Sequence, residues 1–380
     1  MKLVVDENIA LAEEAFGSFG ELLLVNGRGI KNEILLDADI LIVRSITNVN
    51  KELLSGTKVR FVGTATIGTD HIDTDYLSQE GIEFSDAKGC NANSVAEYVF
   101  AALMRIAVEE NISFKDKSIG VIGVGNVGSR VVKYAEGFGL EVIKNDPPKE
   151  RANIGSGYST LEDTLKADIV SLHVPLNLSG IDKTFHLLNE NNFNSLKQEA
   201  ILINTSRGAV IANDALLNVI DKKQFKVVLD VWEGEPQVNT VLLEKVKSGT
   251  AHIAGYSLEG KVNGTKMIYD SLRSFTNSIT DWIPNLPNIH KTEIELPSAG
   301  TDEEKLNFIF NQVYNIKNDD SLIRKLPTIK KDERKRHFDK LRKKYSVRRE
   351  FSNYTLKIKN DDRGLIELLS KLGFKIKKGG

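Results

Sequence analysis

The sequence predicts an α/β protein with two doubly wound parallel-sheet domains and a small C-terminal α+β domain. Three observations point there. Over residues 1–255, short apolar runs rich in Val, Ile and Phe alternate with helix-like stretches, the rhythm of βα units feeding parallel sheets. A glycine fingerprint near residue 123 opens a second βα series after a first has ended. From about residue 284 the texture changes to a proline-containing linker, "PNLPNIHK", and amphipathic segments.

The first series comprises "KLVVD", "ADILIVRS", "VRFVGTAT" and "IEFSDA", each followed by polar or glycine-containing turns. "SVAEYVFAALMRIAVE" (94–109) predicts a long helix capped by Asn93 or Ser94. "KSIGVIGVG", "LEVIKND", "ADIVSLHVP", "AILINTS" and "KVVLDVW" form the second series. A helix-like stretch at 259–277 then carries the chain back to the first. In the tail, "DEEKLNFIFNQVYNI" reads as an amphipathic helix, "YTLKIK" as a half-buried strand and "RGLIELLSKLGF" as a second helix. The expected boundaries are 1–93 with 257–283, then 94–256, then 284–380. There is no repeat at a solenoid period and no low-complexity tract.

Of 380 residues, 41% are hydrophobic and 27% charged, with a formal net charge of −1. That balance suits a globular protein and argues against a general polyanion binder, so no nucleic-acid partner is expected. The single cysteine, Cys90, excludes an internal disulfide framework and a multi-cysteine metal site; no metal is expected. Nothing in its surroundings marks it as an activated nucleophile. "MKLVVDENIA" carries an acid at position 6 and has no apolar signal region. No run approaches the roughly 20 apolar residues that span a bilayer. A cytoplasmic protein without a membrane partner is the expectation.

"IGVIGVGNVGSRV" places Gly123, Gly125 and Gly128 as G-x-G-x-x-G between an apolar strand and a helix-like stretch. Gly123 permits the tight turn, Gly125 lets backbone approach a pyrophosphate, and Gly128 lets helix and strand pack closely. Amides at the helix N-terminus, around Asn126 and Val127, would face the phosphates. Asp146 ends the next strand, 18 residues after Gly128. An acid there accepts from the ribose hydroxyls and repels a 2′-phosphate, so NAD is favoured over NADP. The 94–256 segment is therefore expected to be a Rossmann-like nucleotide-binding domain.

Polar residues crowd the later strand ends. "INTSRGAVI" presents Arg207, "LDVWEGEP" presents Asp230, Glu233 and Glu235, and "AHIAGY" presents His252. Ligands of open α/β sheets gather at these carboxyl ends. A lone histidine between Ala251 and Ile253 is more commonly a core residue, and an isolated Arg207 or Glu235 reads equally as a surface ion pair or a solvated turn. Together they have a chemical role. Oxidising a secondary alcohol needs a base for the hydroxyl proton, and imidazole titrates in range. A carboxylate fixes its tautomer, and an arginine fork grips a carboxylate or forming carbonyl.

"GTDHID", "GCNANSVAEY", "GVGNVG", "INTSRGAVI", "DVWEGEP" and "HIAG" together resemble the D-isomer-specific 2-hydroxyacid dehydrogenases, over roughly residues 1–280. The resemblance implies that Arg207, Glu235 and His252 are catalytic, with His252 as proton acceptor. It implies a nicotinamide contact at Asp230 and further NAD contacts at Thr205, Ser206, Val174 and Gly255. Where one branch of this family often has threonine, this chain has Val174, so a side-chain hydroxyl contact to NAD is lost there.

"VDENIA" with "VRSITNVN", "HIAGYSLEGKVNGT", and the extension with "FDKLRKKYSVRREFS" are similar to one branch of that family. Its members oxidise 4-phospho-D-erythronate in pyridoxal phosphate biosynthesis. That likeness implies a phosphorylated 2-hydroxy acid as substrate and contacts at Ser45, Thr66 and Tyr256. It also implies a homodimer formed through the tail. Other readings stay open: another 2-hydroxyacid dehydrogenase, such as one acting on phosphoglycerate, or a NAD-sensing corepressor. For the substrate phosphate, Arg44 beside Ser45 is the first candidate. Segment 330–349 adds 11 Lys or Arg against three acids, either a solvated helix face or, through Arg348 or Arg349, a neighbouring subunit's phosphate pocket.

Overall fold

The computed structural model of the chain describes residues 1–359 and 362–378. It divides into two compact units, 1–91 with 257–288, and 92–256 with 289–380. In the first unit, β1 (Lys2–Asp6), β2 (Glu21–Val25), β3 (Ile40–Val43), β4 (Phe61–Thr64) and β5 (Glu83–Asp86) form a parallel sheet in the order β2-β1-β3-β4-β5. Side chains alternate across it, as the period of two requires. Leu3, Val5, Ile40 and Ile42 join one core, with Ile268, Tyr269 and Leu272 of helix Leu258–Thr276. Val4, Leu41, Val43 and Val62 join the other. Both faces are covered, which explains why these strands read as unbroken apolar runs.

The second unit holds β6 (Ser118–Ile122), β7 (Glu141–Asn145), β8 (Ile169–Leu172), β9 (Ile201–Asn204), β10 (Lys226–Leu229) and the two-residue β11 (Ser248–Gly249). Their order is β11-β10-β9-β8-β6-β7, all parallel. A single bridge from Lys144 to Tyr158 extends the edge past β7. Chain direction across the sheet reverses between β6 and β8. That is the switch point where doubly wound sheets take ligands, and the glycine fingerprint follows β6 there.

Helix Ala92–Glu110 begins one residue before Asn93 and two before Ser94, the expected caps. Asn93 lies inside it, and its Oδ1 accepts from Arg130 Nε at 2.5 Å. Fourteen of the 19 residues are buried, the mark of a helix covered all round. The tail is the reason. Leu306, Ile309, Phe310, Phe351, Leu356 and Phe374 share one core with this helix and with Ile119, Val121 and Ile203 of the sheet. Phe310, Phe351 and Phe374 stack, with centroids 4.7 and 4.6 Å apart along the series. Ile323, Leu326 and Phe338 enter the core on the opposite face, beside Leu172, Leu202 and Leu229. β12 (Glu293–Glu295), β13 (Thr355–Ile358) and β14 (Lys375–Lys378) form a small parallel sheet of their own. The composition break near 284 thus opens a segment that shares both cores of the second unit.

Candidate active site

The loop after β6 is shaped by its glycines. Gly123 has φ +84°, and a Cβ there would stand 2.7 Å from the His173 carbonyl oxygen and from Val174 Cγ1. A Cβ on Gly128 would come 1.9 Å from the Gly123 oxygen, whereas one on Gly125 meets nothing within 4 Å. Helix Asn126–Gly137 starts at Gly125 without a side-chain cap, so its leading amides, Asn126 and Val127 among them, have no intrahelical acceptor. The cradle is open where a pyrophosphate approaches and closed where helix and strand must touch. These residues fit a dinucleotide.

Asp146 follows β7. Its Oδ2 accepts from the Val124 amide at 2.8 Å and its Oδ1 from the Lys149 amide at 3.1 Å. Two of the carboxylate's roughly four acceptor positions are thus engaged in holding the glycine loop, leaving acceptors for a ribose. Across the loop, His173 bonds Ser171 Oγ at 2.8 Å and Thr205 Oγ1 at 3.3 Å. Burial pushes its imidazole down to about 3, so it stays neutral. Val174 packs into the sheet core.

Asn204, the last residue of β9 and fully buried, organises the arginine loop. Its Oδ1 accepts from the Ser206 amide and hydroxyl, and its Nδ2 donates to the Arg207 carbonyl at 2.9 Å. Arg207 Nη1 donates to the Ser206 carbonyl at 2.8 Å. Gly208 brings this loop onto the next: a Cβ there would lie 2.0 Å from the Trp232 carbonyl carbon. The arginine loop and the Glu235 loop are in backbone contact.

The three acids of "DVWEGEP" have different tasks. Asp230 is buried, and its Oδ1 accepts from Thr250 Oγ1 and the Ile253 amide, its Oδ2 from the Ala254 amide. Its carbonyl takes the His252 amide at 2.7 Å. Asp230 therefore shapes the histidine loop, in which His252 has φ +56° and Ala254–Gly255 form a turn. Glu233 accepts from the Asn213 amide and pairs with His186 Nε2 at 2.5 Å, away from His252. Glu235 is the partner: its Oε1 lies 2.5 Å from His252 Nδ1, and its Oε2 accepts from the Trp232 amide at 3.1 Å. Burial on its own would raise the Glu235 carboxyl. The His252 charge and hydrogen bond, the Arg342 charge and the Trp232 amide outweigh it and hold the group below the usual carboxylate range. An ionised carboxylate on Nδ1 leaves Nε2 as the imidazole's outward nitrogen, the arrangement a proton acceptor needs.

Tyr256 follows. Its hydroxyl accepts from Arg342 Nε at 3.2 Å, and Tyr345 packs edge-on against it at 5.7 Å. Arg342 was concealed in the sequence among the cations of 330–349. Arg348 fits neither reading of that run, a solvated helix face or a neighbouring subunit's phosphate pocket, because it is buried. It is 4% exposed, donates to the carbonyls of Ser94 and Ala254, pairs with Glu97 and lies 4.0 Å over Tyr314. Arg349 Nη2 donates to Asn353 Oδ1 at 3.3 Å.

In the first unit, Ser45 and Thr66 follow the ends of β3 and β4. Thr66 Oγ1 lies 2.8 Å from Thr64 Oγ1, which meets His71 Nε2 at 3.1 Å. Arg44 gives Nε and Nη2 to the buried Asp6 carboxylate at 3.1 and 3.3 Å. Two of its five N–H donors are therefore engaged with Asp6 inside the first unit.

Residues 102–254 match the family described as D-isomer specific 2-hydroxyacid dehydrogenase, NAD binding domain, and residues 286–373 match a domain of unknown function. The erythronate-4-phosphate dehydrogenase of Escherichia coli K12 is 44% identical over 380 residues, covering 98% of each chain. That of Serratia proteamaculans is 42% identical, covering 98% of this chain and 99% of its own. Among solved structures, D-lactate dehydrogenase from Aquifex aeolicus, complexed with NAD and lactic acid, matches with TM-score 0.59 and 26% identity, covering 73% of this chain and 96% of that one. A cofactor-bound 3-phosphoglycerate dehydrogenase of Entamoeba histolytica, 24% identical with TM-score 0.61, covers 74% and 96% and shares the fold. The chain belongs to the erythronate-4-phosphate dehydrogenase family, within the NAD-dependent D-2-hydroxyacid dehydrogenases.

Proposed function

We propose that this oxidoreductase oxidises 4-phospho-D-erythronate at C2 to 3-hydroxy-2-oxo-4-phosphooxybutanoate, a step of pyridoxal phosphate synthesis. The observation that carries the reading is the 2.5 Å contact of His252 Nδ1 with Glu235 Oε1, beside an arginine loop held in backbone contact. NAD, when bound, supplies the hydride acceptor. Gly123, Gly125, Gly128, Asn126, Val127 and Asp146 would hold its adenosine and phosphates, with Thr205, Ser206, Val174, Asp230 and Gly255 nearer the nicotinamide. His252 Nε2 takes the C2 hydroxyl proton. Glu235 keeps the ring's tautomer fixed and stabilises the imidazolium. Arg207 orients the carboxylate and polarises the forming carbonyl. Ser45, Thr66 and Tyr256 are assigned to substrate contacts, the first two on the strand ends of the first unit.

We further infer a homodimer formed through the tail, and a cytoplasmic location. Phe308 and Val347 of the tail are exposed, apolar side chains of the kind a partner subunit would cover. Among the described residues no helix is long and apolar enough to cross a membrane. The direct test is NADH absorbance with erythronate 4-phosphate, 3-phosphoglycerate and D-lactate in parallel. The proposal expects erythronate 4-phosphate to have the highest kcat/KM; a preference for either other acid would reject it. Sedimentation at micromolar concentration tests the dimer, and a monomer there would remove that assignment.

A further inference from the structure

Resting on the substrate reading above, we propose that Arg342 is the cation that grips the substrate's phosphate and makes the enzyme prefer a phosphorylated 2-hydroxy acid. A substrate with an anionic group at each end needs two cationic contacts. Arg207 is assigned to the carboxylate next to the reacting carbon. The phosphate, two carbons beyond C2, needs another.

The fold separates the basic run of 330–349 into distinct groups. Helix Lys331–Lys343 buries Phe338 and packs Leu341 against the same core, which fixes the direction of the residues on that stripe. Lys335, Arg336, Lys340, Lys343 and Lys344 are exposed, so for them the solvated-face reading holds. Arg334 is committed to the carbonyls of Ile329 and Pro327 and to Thr240. Arg348 is buried on Ser94, Ala254, Glu97 and Tyr314. Arg342 differs from all of these. It is half-buried, one turn after Phe338, with Nε on the Tyr256 hydroxyl at 3.2 Å and its guanidinium carbon 5.8 Å from that ring.

A single Nε bond leaves the two terminal nitrogens, and these bond no described residue. A half-buried guanidinium anchored through Nε and open at both Nη atoms presents the fork that suits phosphate oxygens. Its location suits the substrate. Tyr256 lies four residues after His252, and the Arg342 charge acts on the Glu235 carboxylate and on Asp230. The cation thus stands near the catalytic pair without a salt bridge to it. Tyr256 gains a defined part as the residue that holds the fork through Nε.

The test compares wild type, Arg342→Gln and Arg342→Lys, with erythronate 4-phosphate and unphosphorylated D-erythronate as substrates and inorganic phosphate as competing anion. Losing a desolvated charge pair should lower the kcat/KM ratio of phosphorylated to unphosphorylated substrate by about 10²-fold in Arg342→Gln. Inhibition by inorganic phosphate should weaken in parallel, and Arg342→Lys should recover part of both. NAD affinity reports that each variant is folded. Equal losses on both substrates, with phosphate inhibition unchanged, would reduce Arg342 to a positioning role and overturn the inference. A wild-type enzyme inactive on erythronate 4-phosphate would instead reject the substrate reading itself.

Discussion

Gly208 is the position where a single methyl group should separate catalysis from cofactor binding. In Gly208→Ala the new Cβ would lie 2.0 Å from the Trp232 carbonyl carbon, 2.1 Å from its oxygen and 2.4 Å from the Glu233 nitrogen. All three are backbone atoms, so no side chain can turn aside, and the loops must part by about 1 Å, at an overpacking cost of about 1–3 kcal/mol. Trp232 transmits that movement. Its amide donates to Glu235 Oε2, and its indole donates to the Thr250 carbonyl at 2.8 Å. A misplacement of this size lowers kcat/KM by about 10²-fold. The glycine loop after β6, which would hold the adenosine and phosphates, is not part of the contact, so NAD affinity should fall by less than kcat/KM even though Thr205, Ser206 and Asp230 flank the displaced loops. Steady-state NADH formation, NADH fluorescence titration and urea unfolding measure the three quantities. A variant within threefold of wild-type kcat/KM would refute the claim that this backbone contact sets the catalytic geometry.

Three further outcomes follow from the geometry. Gly128→Ala forces a Cβ against the Gly123 oxygen at 1.9 Å and should weaken NADH binding by at least about tenfold; unchanged affinity in a fluorescence titration would remove the packing role. His173 has its imidazole pushed from 6.5 to about 3, so between those values the unfolded chain binds a proton that the folded chain refuses. Stability therefore falls as pH drops below 6.5, by up to about 2 kcal/mol at pH 5. His173→Asn should flatten that slope in denaturant titrations, and identical slopes would contradict the assignment. Arg348→Met leaves the buried Glu97 carboxylate without its cation and should cost about 3–5 kcal/mol in urea unfolding; a loss below 1 kcal/mol would show that the pair is dispensable.

Much of the fold was readable because β1, β3, β4, β6, β8, β9 and β10 are buried on both faces and therefore appear as apolar runs. β2 is "ELLLV", an apolar run although half-exposed at a sheet edge, whereas β14 consists of "KIKK" and does not carry that signal. The tail's helices were visible from their period, but the partner they pack against was not. Whether Phe310 and Phe338 bury against each other or on opposite faces of another sheet is long-range information. Arg207, Glu235 and His252, the proposed catalytic residues, were legible as chemically distinctive types at strand ends. Residue type alone did not tell Glu235 from Glu233, two residues away in the same loop; the family resemblance singled out Glu235, and the structure pairs it with His252 while Glu233 meets His186. Arg342 had no distinguishing mark among eleven cations; its spacing of four from Phe338 was the one available cue. The tail's share in both cores also means that removing it would expose Phe310, Phe351 and Phe338, so single surface substitutions test the dimer more cleanly than truncation.

In the proposed mechanism His252, oriented by Glu235, accepts the substrate's proton. Single-turnover NADH formation from erythronate 4-phosphate, with His252→Ala beside wild type at saturating NAD, tests it most directly. Loss of a positioned acid–base group predicts a fall of about 10²–10⁴-fold in the chemical step, with NADH affinity retained. A variant that reduces NAD at the wild-type rate would contradict the account.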